Sequence, residues 1–296
     1  MKKTIFKGSG VALVTPMNED WSVNYEALGN LIEYQIKNNT DALIICGTTG
    51  ESATLSHEEH CEVIKFAVEK VNKRIPVIAG TGSNDTKYAI ELSKEAQRFG
   101  VDGLLAVTPY YNKTSQNGLI RHYNAIADAV DIPIILYNVP SRTGVNIKPQ
   151  TYLELSKHPN IVAAKEANGD ISSVAETISL CGDNLDIYSG NDDQTAAIMA
   201  LGGIGVISVF ANICPNESHE LTQSCLDGNF KKGSQLQLKY LKLMNIMFCD
   251  VNPIPVKETM NLLGFNCGEC RLPLDKMPQD KILKLKEVLK EYKLIG

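Results

Sequence analysis

Short, uninterrupted apolar runs alternate along this chain with longer stretches in which apolar residues recur at helical spacing. The runs lack apolar–polar alternation, which is typical of parallel strands buried on both faces. The pattern predicts strands over Val11–Thr15, Ala42–Cys46, Pro76–Gly80, Gly103–Thr108, Pro133–Tyr137, Ile161–Lys165, Leu185–Ser189 and Gly205–Val209. It predicts helices over Tyr25–Asn38, His57–Asn72, Thr86–Phe99, Gly118–Val130, Glu217–Leu226, Gly233–Met247, Pro255–Leu263 and Asp280–Glu291.

A strand–helix unit that repeats eight times predicts an α/β fold of the (β/α)8 TIM-barrel type, followed by a C-terminal helical appendage. A doubly wound sheet is the alternative. The first strand–helix turn, Thr15–Trp21, lacks the glycine pattern of a dinucleotide fold, which weakens that alternative. We therefore expect a catalytic barrel over residues 1–230 and a helical extension over residues 231–296.

Charge and composition narrow the classes of partner. The 296 residues carry a net charge of −5, so the sequence shows no electrostatic footprint for nucleic acid or an anionic membrane. The apolar run near the N-terminus is too short for a signal sequence, and no run is long enough to span a membrane. We expect a cytoplasmic protein whose eight cysteines are mostly buried thiols. Cys267 and Cys270 have metal-ligand spacing, but no second pair completes a zinc site.

The chemistry of such a barrel lies at the C-terminal ends of its strands. Those ends are rich in hydroxyl groups, and Lys165 is the one amine among them. A lysine is usually a solvated surface residue, but burial in the barrel mouth favours the neutral, nucleophilic form of the amine. A neutral amine forms Schiff bases with carbonyl substrates. Glu166 follows on the opposite face of the strand, so we do not expect it to be the direct partner of Lys165.

Neighbouring hydroxyl groups could move the protons that a Schiff base requires. Tyr137 ends the adjacent predicted strand and can act as general acid and base, although core packing is the alternative role for such a tyrosine. Thr48, Thr49 and Tyr111 could extend it into a relay. A Thr-Thr pair between glycines is equally typical of a turn.

Two loops indicate the kind of substrate. Arg142 follows the fifth predicted strand, and its guanidinium group suits a carboxylate, although a loop arginine is more often simply exposed. The loop Gly190–Asp193 places two carboxylates where phosphate-binding barrels have a basic or glycine-rich helix N-terminus. We expect a small, unphosphorylated carboxylate substrate. His57 and His60 do not have zinc-protease spacing, and we predict neither a metal nor a cofactor.

Five motifs, in order, resemble those of the 4-hydroxy-tetrahydrodipicolinate synthase (dihydrodipicolinate synthase) family. They are Gly47–Ser52, Thr108–Asn112, Tyr137–Gly144, Lys165–Ala167 and Asn252–Lys257. The set is specific for the wider superfamily of pyruvate-dependent Schiff-base lyases, which is N-acetylneuraminate lyase-like. The segment Ser141–Gly144 favours this member, and the likeness runs from Gly8 to the C-terminal helices.

The resemblance implies a lyase that condenses pyruvate with L-aspartate 4-semialdehyde in the first committed step of lysine and diaminopimelate biosynthesis. It implies no cofactor and a homotetramer built as a dimer of tight dimers. The implied catalytic residues are Lys165 for the Schiff base, Tyr137 for proton transfer, and Thr48 with Tyr111 of the neighbouring subunit for the relay. The implied substrate-binding residues are Thr49, Gly190 and Ile207 for pyruvate and Arg142 for the semialdehyde carboxylate.

The resemblance also points to a regulatory site. In lysine-inhibited relatives, the inhibitor site corresponds to Ser52, Ala53, His57, His60, Asn84, Tyr88 and Tyr110 of this chain. Those relatives use a Glu where this chain has Tyr88, which puts inhibition by L-lysine in doubt. Glu91 lies three residues along the same predicted helix and could compensate.

Two rival functions stay open at this point. An N-acetylneuraminate or 2-keto-3-deoxy sugar acid aldolase would share Lys165 and Tyr137, but its polyhydroxylated aldehyde has no need of Arg142. A non-catalytic regulator or sugar-acid sensor on the same scaffold would be marked by loss of the Lys or the Tyr, and both are present. A barrel fold alone would not decide between them.

Overall fold

Eight parallel strands form a closed barrel at the centre of the molecule. The computed structural model describes residues 2–296. Its strands are β1 Gly8–Ala12, β2 Ala42–Ile45, β3 Val77–Gly80, β4 Gly103–Val107, β5 Ile134–Asn138, β6 Ile161–Glu166, β7 Asp186–Ser189 and β8 Gly205–Ser208. Each strand pairs with the next in sequence, and β1 pairs with β8. The predicted (β/α)8 barrel is confirmed, and the doubly wound sheet is excluded because that fold is open.

Helices surround the barrel and continue past its last strand. They are α1 Tyr25–Lys37, α2 His57–Val71, α3 Thr86–Phe99, α4 Gln116–Ala127, α5 Pro140–Thr143, α6 Pro149–Leu155, α7 Ile171–Cys181, α8 Thr195–Ala200, α9 Pro215–Leu226, α10 Phe230–Ile246, α11 Ile254–Leu262 and α12 Gln279–Glu291. The helices predicted from the sequence end within three residues of those observed. The predicted C-terminal helices are confirmed as α10–α12. No helix among residues 2–296 has the length and apolar character needed to cross a bilayer.

The first strand lies three residues earlier than the apolar pattern predicts. The expected span Val11–Thr15 is wrong, because the strand covers Gly8–Ala12. Its first residues are small: a Cβ atom on Gly10 would lie 2.7 Å from both Ile44 Cδ1 and Phe6 Cζ. Close packing inside the barrel therefore selects glycine here, and a search for apolar residues overlooks it.

Side chains alternate between the barrel interior and the surrounding helices, so the molecule has two apolar cores. Phe6 precedes β1 and stacks on Tyr188 inside the barrel, with ring centroids 4.4 Å apart. The Tyr188 hydroxyl donates to the Phe6 carbonyl oxygen at 2.6 Å. These rings fill the N-terminal end of the interior, and the residues at the carboxyl ends of the strands lie at the opposite end.

Candidate active site

Lys165 lies near the carboxyl end of β6 and points into the barrel. It is only 5% exposed, and its register partner on β5 is Tyr137. Lys165 Nζ lies 4.2 Å from the centroid of the Tyr137 ring. Within residues 2–296, Nζ makes no hydrogen bond, and no carboxylate lies within 4.0 Å of it. A buried lysine is normally paired, so Lys165 is unusual in being largely buried without a contacting structural partner for its amine.

Glu166 faces the opposite side of the sheet, as predicted. Its carboxylate accepts hydrogen bonds from Asn138 Nδ2 at 2.9 Å, the Tyr152 hydroxyl at 2.9 Å and the Asn168 backbone N–H at 3.0 Å. Burial raises the pKa of Glu166 to about 7, and these hydrogen bonds oppose that rise. Glu166 therefore fixes the ends of β5 and β6 against α6 from outside the barrel and does not contact Lys165.

Tyr137 is the buried aromatic residue beside the amine. It is 7% exposed, and its carbonyl oxygen accepts a hydrogen bond from Thr108 N–H at 3.0 Å. No residue between 2 and 296 hydrogen bonds to its side-chain hydroxyl. A tyrosine buried only for packing normally has a partner for its hydroxyl, so this geometry favours a hydroxyl that meets substrate.

The turn after β2 carries Thr48 and Thr49 and is tightly packed. A Cβ atom on Gly80 would lie 2.2 Å from the Cys46 carbonyl oxygen, so only glycine lets the β3 end approach this turn. Thr15 Oγ1 donates to the Gly50 carbonyl oxygen at 2.7 Å and ties the turn to the segment after β1. Thr49 is buried, whereas Thr48 is half-buried, so the two threonines differ in accessibility.

Asn252 forms hydrogen bonds with two of the predicted site residues, Thr49 and Arg142, although the sequence did not indicate a role for it. Its Nδ2 donates to Thr49 Oγ1 at 3.0 Å, and its carbonyl oxygen accepts from Arg142 Nη2 at 3.2 Å. Asn252 Oδ1 is buried and has no partner within residues 2–296. The signal that could have identified it is its place at the start of the motif Asn252–Lys257.

A buried ion pair holds the same turn against the C-terminal helices. Lys257 Nζ lies 2.6 Å from Glu51 Oε1, and both side chains are 1% exposed. Lys257 Nζ also donates to the Glu269 carbonyl oxygen at 2.9 Å, and Arg271 N–H donates to Glu51 Oε2 at 2.8 Å. Every charge in this cluster has a partner, as burial requires. The turn that carries Thr48 and Thr49 is therefore anchored on its far side by residues from the end of the chain.

Arg142 lies in the short helix α5 after β5 and is exposed. One of its N–H groups is used by Asn252, which leaves most of the guanidinium group available to a ligand. Thr143, the next residue, turns inward and accepts a hydrogen bond from Thr108 Oγ1 at 2.9 Å. The β5 loop is thus fixed at its base and presents the arginine at its surface.

Gly190 and Ile207 occupy the ends of β7 and β8. Gly190 N–H donates to the Glu166 carbonyl oxygen at 2.7 Å, and a Cβ atom on Gly190 would lie 2.7 Å from Ala167 Cβ. Ile207 is fully buried within the barrel. Glycine at 190 is therefore required by the approach of the segment that follows Lys165.

The sequence placed two carboxylates in the loop Gly190–Asp193, but one of them, Asp192, is buried and has a structural role. It is 4% exposed, and its Oδ2 accepts from the backbone N–H groups of Val209 at 3.1 Å and Phe210 at 2.9 Å. Burial raises its pKa, while hydrogen bonds from Ser208, Phe210 and Val209 and, to a smaller extent, the charge of Lys165 oppose that rise. Asp192 thus caps the turn after β8 and brings a carboxylate into the electrostatic environment of Lys165. Of the two acidic residues in this loop, only Asp193 is exposed.

Tyr111 is not packed into the barrel mouth of its own chain. It is 92% exposed and has a φ angle of +71°, which is uncommon for a tyrosine. Lys165, Tyr137 and the Thr48 turn therefore lie at one end of the barrel. Tyr111 follows β4 at that same end, but its side chain is exposed to solvent.

The residues expected at a regulatory site fall into two groups. His60 is buried, its Nε2 lies 2.8 Å from the Gly80 carbonyl oxygen, and burial lowers its pKa to about 4. It faces the core. Ser52, Ala53, His57, Asn84, Tyr88 and Tyr110 are exposed or half-buried. His57 Nδ1 lies 3.3 Å from the Tyr88 hydroxyl, and Asn84 Nδ2 donates to the Tyr110 carbonyl oxygen at 3.2 Å.

A carboxylate other than the expected Glu91 contacts His57 of this surface. Glu91 Oε1 lies 3.8 Å from Lys87 Nζ on the outside of α3. Glu95 Oε2 instead lies 3.5 Å from His57 Nε2 and accepts from the Cys61 thiol at 3.0 Å. Glu95 follows Tyr88 by two helical turns, and this spacing could have identified it from the sequence.

Comparison with known proteins gives concordant results. The model of the dihydrodipicolinate synthetase family matches residues 5–292. The 4-hydroxy-tetrahydrodipicolinate synthase of Caldicellulosiruptor saccharolyticus is 57% identical over 288 residues, which cover 97% of this chain and 97% of the relative. The crystal structure of dihydrodipicolinate synthase from Aquifex aeolicus has a TM-score of 0.96 at 47% identity and covers 98% of this chain and 99% of that one.

A second solved structure is as similar in backbone. It is the chloride inhibited dihydrodipicolinate synthase from Acinetobacter baumannii complexed with pyruvate, with a TM-score of 0.97 at 44% identity, covering 99% of this chain and 100% of that one. These similarities include both the barrel and the C-terminal helices.

Proposed function

The chain belongs to the dihydrodipicolinate synthetase family, and from this we propose that it condenses pyruvate with L-aspartate 4-semialdehyde through a Schiff base on Lys165. The enzyme is a lyase of lysine and diaminopimelate biosynthesis. The proposed product is 4-hydroxy-tetrahydrodipicolinate. The observation that carries the proposal is the buried Lys165 amine, which has no carboxylate partner within residues 2–296 and lies 4.2 Å from the Tyr137 ring.

The proposed reaction begins at Lys165 Nζ. The neutral amine attacks the keto carbon of pyruvate, a carbon–nitrogen bond forms, and the keto oxygen leaves as water after protonation. Loss of a methyl proton converts the imine into an enamine, whose carbon attacks the aldehyde carbon of the semialdehyde. The amine of the semialdehyde then displaces Lys165 during ring closure and restores the free lysine.

Proton transfer is assigned to hydroxyl groups. Tyr137 is the central donor and acceptor because it lies against the amine and no residue from 2 to 296 hydrogen bonds to its hydroxyl. Thr48, which is half-buried in the turn after β2, connects Tyr137 to Tyr111 of the neighbouring subunit. The 92% exposure of Tyr111 in its own chain supports this assignment, since an exposed aromatic side chain is suited to an interface.

Substrate binding is assigned to the remaining strand ends. Thr49, Gly190 and Ile207 contact pyruvate, and the crystal structure of the Acinetobacter baumannii relative complexed with pyruvate supports that substrate. Arg142 binds the carboxylate of the semialdehyde, because most of its guanidinium group is exposed at the barrel mouth. No cofactor takes part in this mechanism.

Borohydride trapping tests the nucleophile. The purified enzyme is incubated with pyruvate and sodium borohydride, and the modified residue is identified by peptide mass mapping. We expect one adduct, on Lys165, and none without pyruvate. Lys165→Arg should abolish trapping and nearly all turnover, whereas Tyr137→Phe keeps the amine and should only slow trapping, by roughly 10²–10⁴-fold.

Three results would contradict the proposal. An adduct on another lysine, or full activity of Lys165→Arg, excludes Lys165 as the nucleophile. Cleavage of N-acetylneuraminate or a 2-keto-3-deoxy acid, with no turnover of the semialdehyde, would retain the Schiff base but replace the substrate.

We further propose a cytoplasmic homotetramer, assembled as a dimer of tight dimers, and a division of the chain into a barrel over residues 1–230 and a helical extension over residues 231–296. The start of α10 at Phe230 supports this division. Size-exclusion chromatography with light scattering measures the assembly directly.

A further inference from the structure

Three side chains with metal-binding atoms converge on the outer surface between α2 and α3. Cys61 Sγ lies 3.8 Å from His57 Nε2 and 3.0 Å from Glu95 Oε2, and His57 Nε2 lies 3.5 Å from Glu95 Oε2. Within residues 2–296, this is the one group of three or more His, Cys, Asp or Glu whose ligand atoms all lie within 4.8 Å of one another. The cluster is separate from the Lys165 site and plays no part in the proposed lyase chemistry.

We propose that His57, Cys61 and Glu95 bind one divalent, thiophilic cation of the zinc class. A thiolate, an imidazole and a carboxylate are ligands that zinc accepts, and sites with three protein ligands keep the fourth position for water. Zinc bonds of roughly 2.0–2.3 Å in a tetrahedron place neighbouring ligand atoms about 3.4–3.6 Å apart. The three observed separations, 3.0–3.8 Å, bracket that range.

The hydrogen bond on the other side of the histidine ring supports the same assignment. His57 Nδ1 lies 3.3 Å from the Tyr88 hydroxyl. A metal-bound histidine normally donates its second ring N–H to an oxygen, which fixes the ring and its tautomer. Tyr88 can accept that hydrogen bond, and this leaves the Nε2 lone pair directed towards Cys61 and Glu95.

The exposure of the cluster suits a cation that enters from solvent. The side chains of His57 and Glu95 are 38% and 33% exposed, whereas Cys61 is buried beneath them. The Cys61 thiol donates a hydrogen bond to Glu95, and burial and the Glu95 carboxylate raise the pKa of Cys61 to about 12. Binding must therefore exchange the thiol proton for the metal–sulfur bond, with one proton released to solvent.

Cys267 and Cys270, which have metal-ligand spacing in the sequence, are a weaker candidate for a metal site than the His57 cluster. Cys267 is fully buried, and no third metal-binding side chain joins Cys267 and Cys270 within the distance found for the His57 cluster. The fold therefore brings together residues on two helices that the sequence separates by 34 positions, from Cys61 to Glu95.

Cobalt binding tests the proposal on the full-length enzyme. The protein is treated with a chelator, desalted and titrated with Co²⁺ while its absorption spectrum is recorded. We expect one equivalent per chain and a near-ultraviolet band from thiolate-to-cobalt charge transfer, competed away by Zn²⁺. Cys61→Ser should abolish the band, and Glu95→Gln and His57→Gln should weaken binding. Cys249→Ser, which removes a half-buried thiol outside the cluster, is the matched control and should bind as the wild type does.

The orienting role of Tyr88 gives a second readout. Tyr88→Phe keeps the ring and removes only the hydroxyl, so affinity should fall by about 10–100-fold while the band remains at saturation. Unfolding midpoints confirm that each variant is folded. The proposal is overturned if folded wild type gives no band, if the band persists in Cys61→Ser, or if Cys249→Ser abolishes it.

Discussion

Lys165 and Lys257 are both almost fully buried, yet their surroundings differ. Lys257 is 1% exposed and lies 2.6 Å from Glu51, so its charge is compensated. Lys165 is 5% exposed and meets a tyrosine ring in place of a carboxylate. A buried amine without a counter-ion in contact is costly for folding alone, and such costs concentrate at functional sites. At the residue scale, this contrast separates a structural lysine from the proposed nucleophile.

Arg142→Ala should weaken binding of aspartate semialdehyde much more than binding of pyruvate. The variant loses a charge-assisted contact with the substrate carboxylate, which is worth about 1.5–3 kcal/mol. Steady-state kinetics with each substrate varied in turn should show a larger Michaelis constant for the semialdehyde. Arg98→Ala is a suitable control, because Arg98 is exposed in the last turn of α3, at the opposite end of the barrel. Equal changes for both substrates would remove Arg142 from its proposed role.

The prediction for inhibition by L-lysine depends on Tyr88, which stands where inhibited relatives have a Glu. A cationic amine needs an anionic partner, and Tyr88 supplies a neutral phenol that is already 3.3 Å from His57 Nδ1. Glu95 is engaged by Cys61, and Glu91 lies beside Lys87. We therefore expect weak or absent inhibition of the wild type.

An activity titration with L-lysine on wild type and Tyr88→Glu checks this expectation. Sensitivity that appears only in the variant would identify the missing carboxylate as the cause. Strong inhibition of the wild type would refute the prediction.

At the scale of elements, the turn after β2 depends on a charge from α11. Lys257→Met leaves the buried Glu51 carboxyl group without its ion-pair partner, so the free energy of unfolding should fall by about 3–5 kcal/mol. The double variant Lys257→Met/Glu51→Gln removes both charges and should recover most of that loss. Urea unfolding monitored by circular dichroism measures both effects.

The matched control is Lys232→Met, which breaks an exposed ion pair with Glu220. Exposed pairs contribute about 0–1 kcal/mol, so this variant should unfold close to the wild type. If Lys257→Met is no less stable than Lys232→Met, the buried pair does not anchor the turn.

The sequence predicts helices and strands well where the spacing of apolar residues determines them. It predicts them poorly where tight packing between segments determines them. Seven strands and the long helices follow from apolar patterning. The start of β1 does not, because glycine at positions 8 and 10 is required by close contacts with Asp41, Ile44 and Phe6. Lys165 and Tyr137 could be placed together because adjacent parallel strands end side by side. The contact between Asn252 and Thr49 spans 203 positions and has no local signal.

At the scale of the whole molecule, the barrel and the C-terminal helices share the proposed site. Asn252 contacts the residues at the mouth, Lys257 binds Glu51, and the Arg271 side chain reaches Glu59 at the start of α2. The sequence predicted the helical extension but not this buttressing role. The proposed site therefore depends on residues from both parts of the proposed division of the chain.

One proposed catalytic residue, Tyr111, is exposed in its own chain, and its position can be tested by mixing inactive variants. If Tyr111 serves the neighbouring subunit, a dimer of one Lys165→Ala chain and one Tyr111→Phe chain contains one intact site, formed by Lys165 of the second chain and Tyr111 of the first. Random reassociation of equal amounts should then restore about a quarter of wild-type activity, because half of the dimers are mixed and each has one of two sites intact. The variants are unfolded together, refolded and assayed against each variant refolded alone. If Tyr111 instead serves its own chain, every site in the mixture lacks one residue, and activity stays at the mean of the two variants.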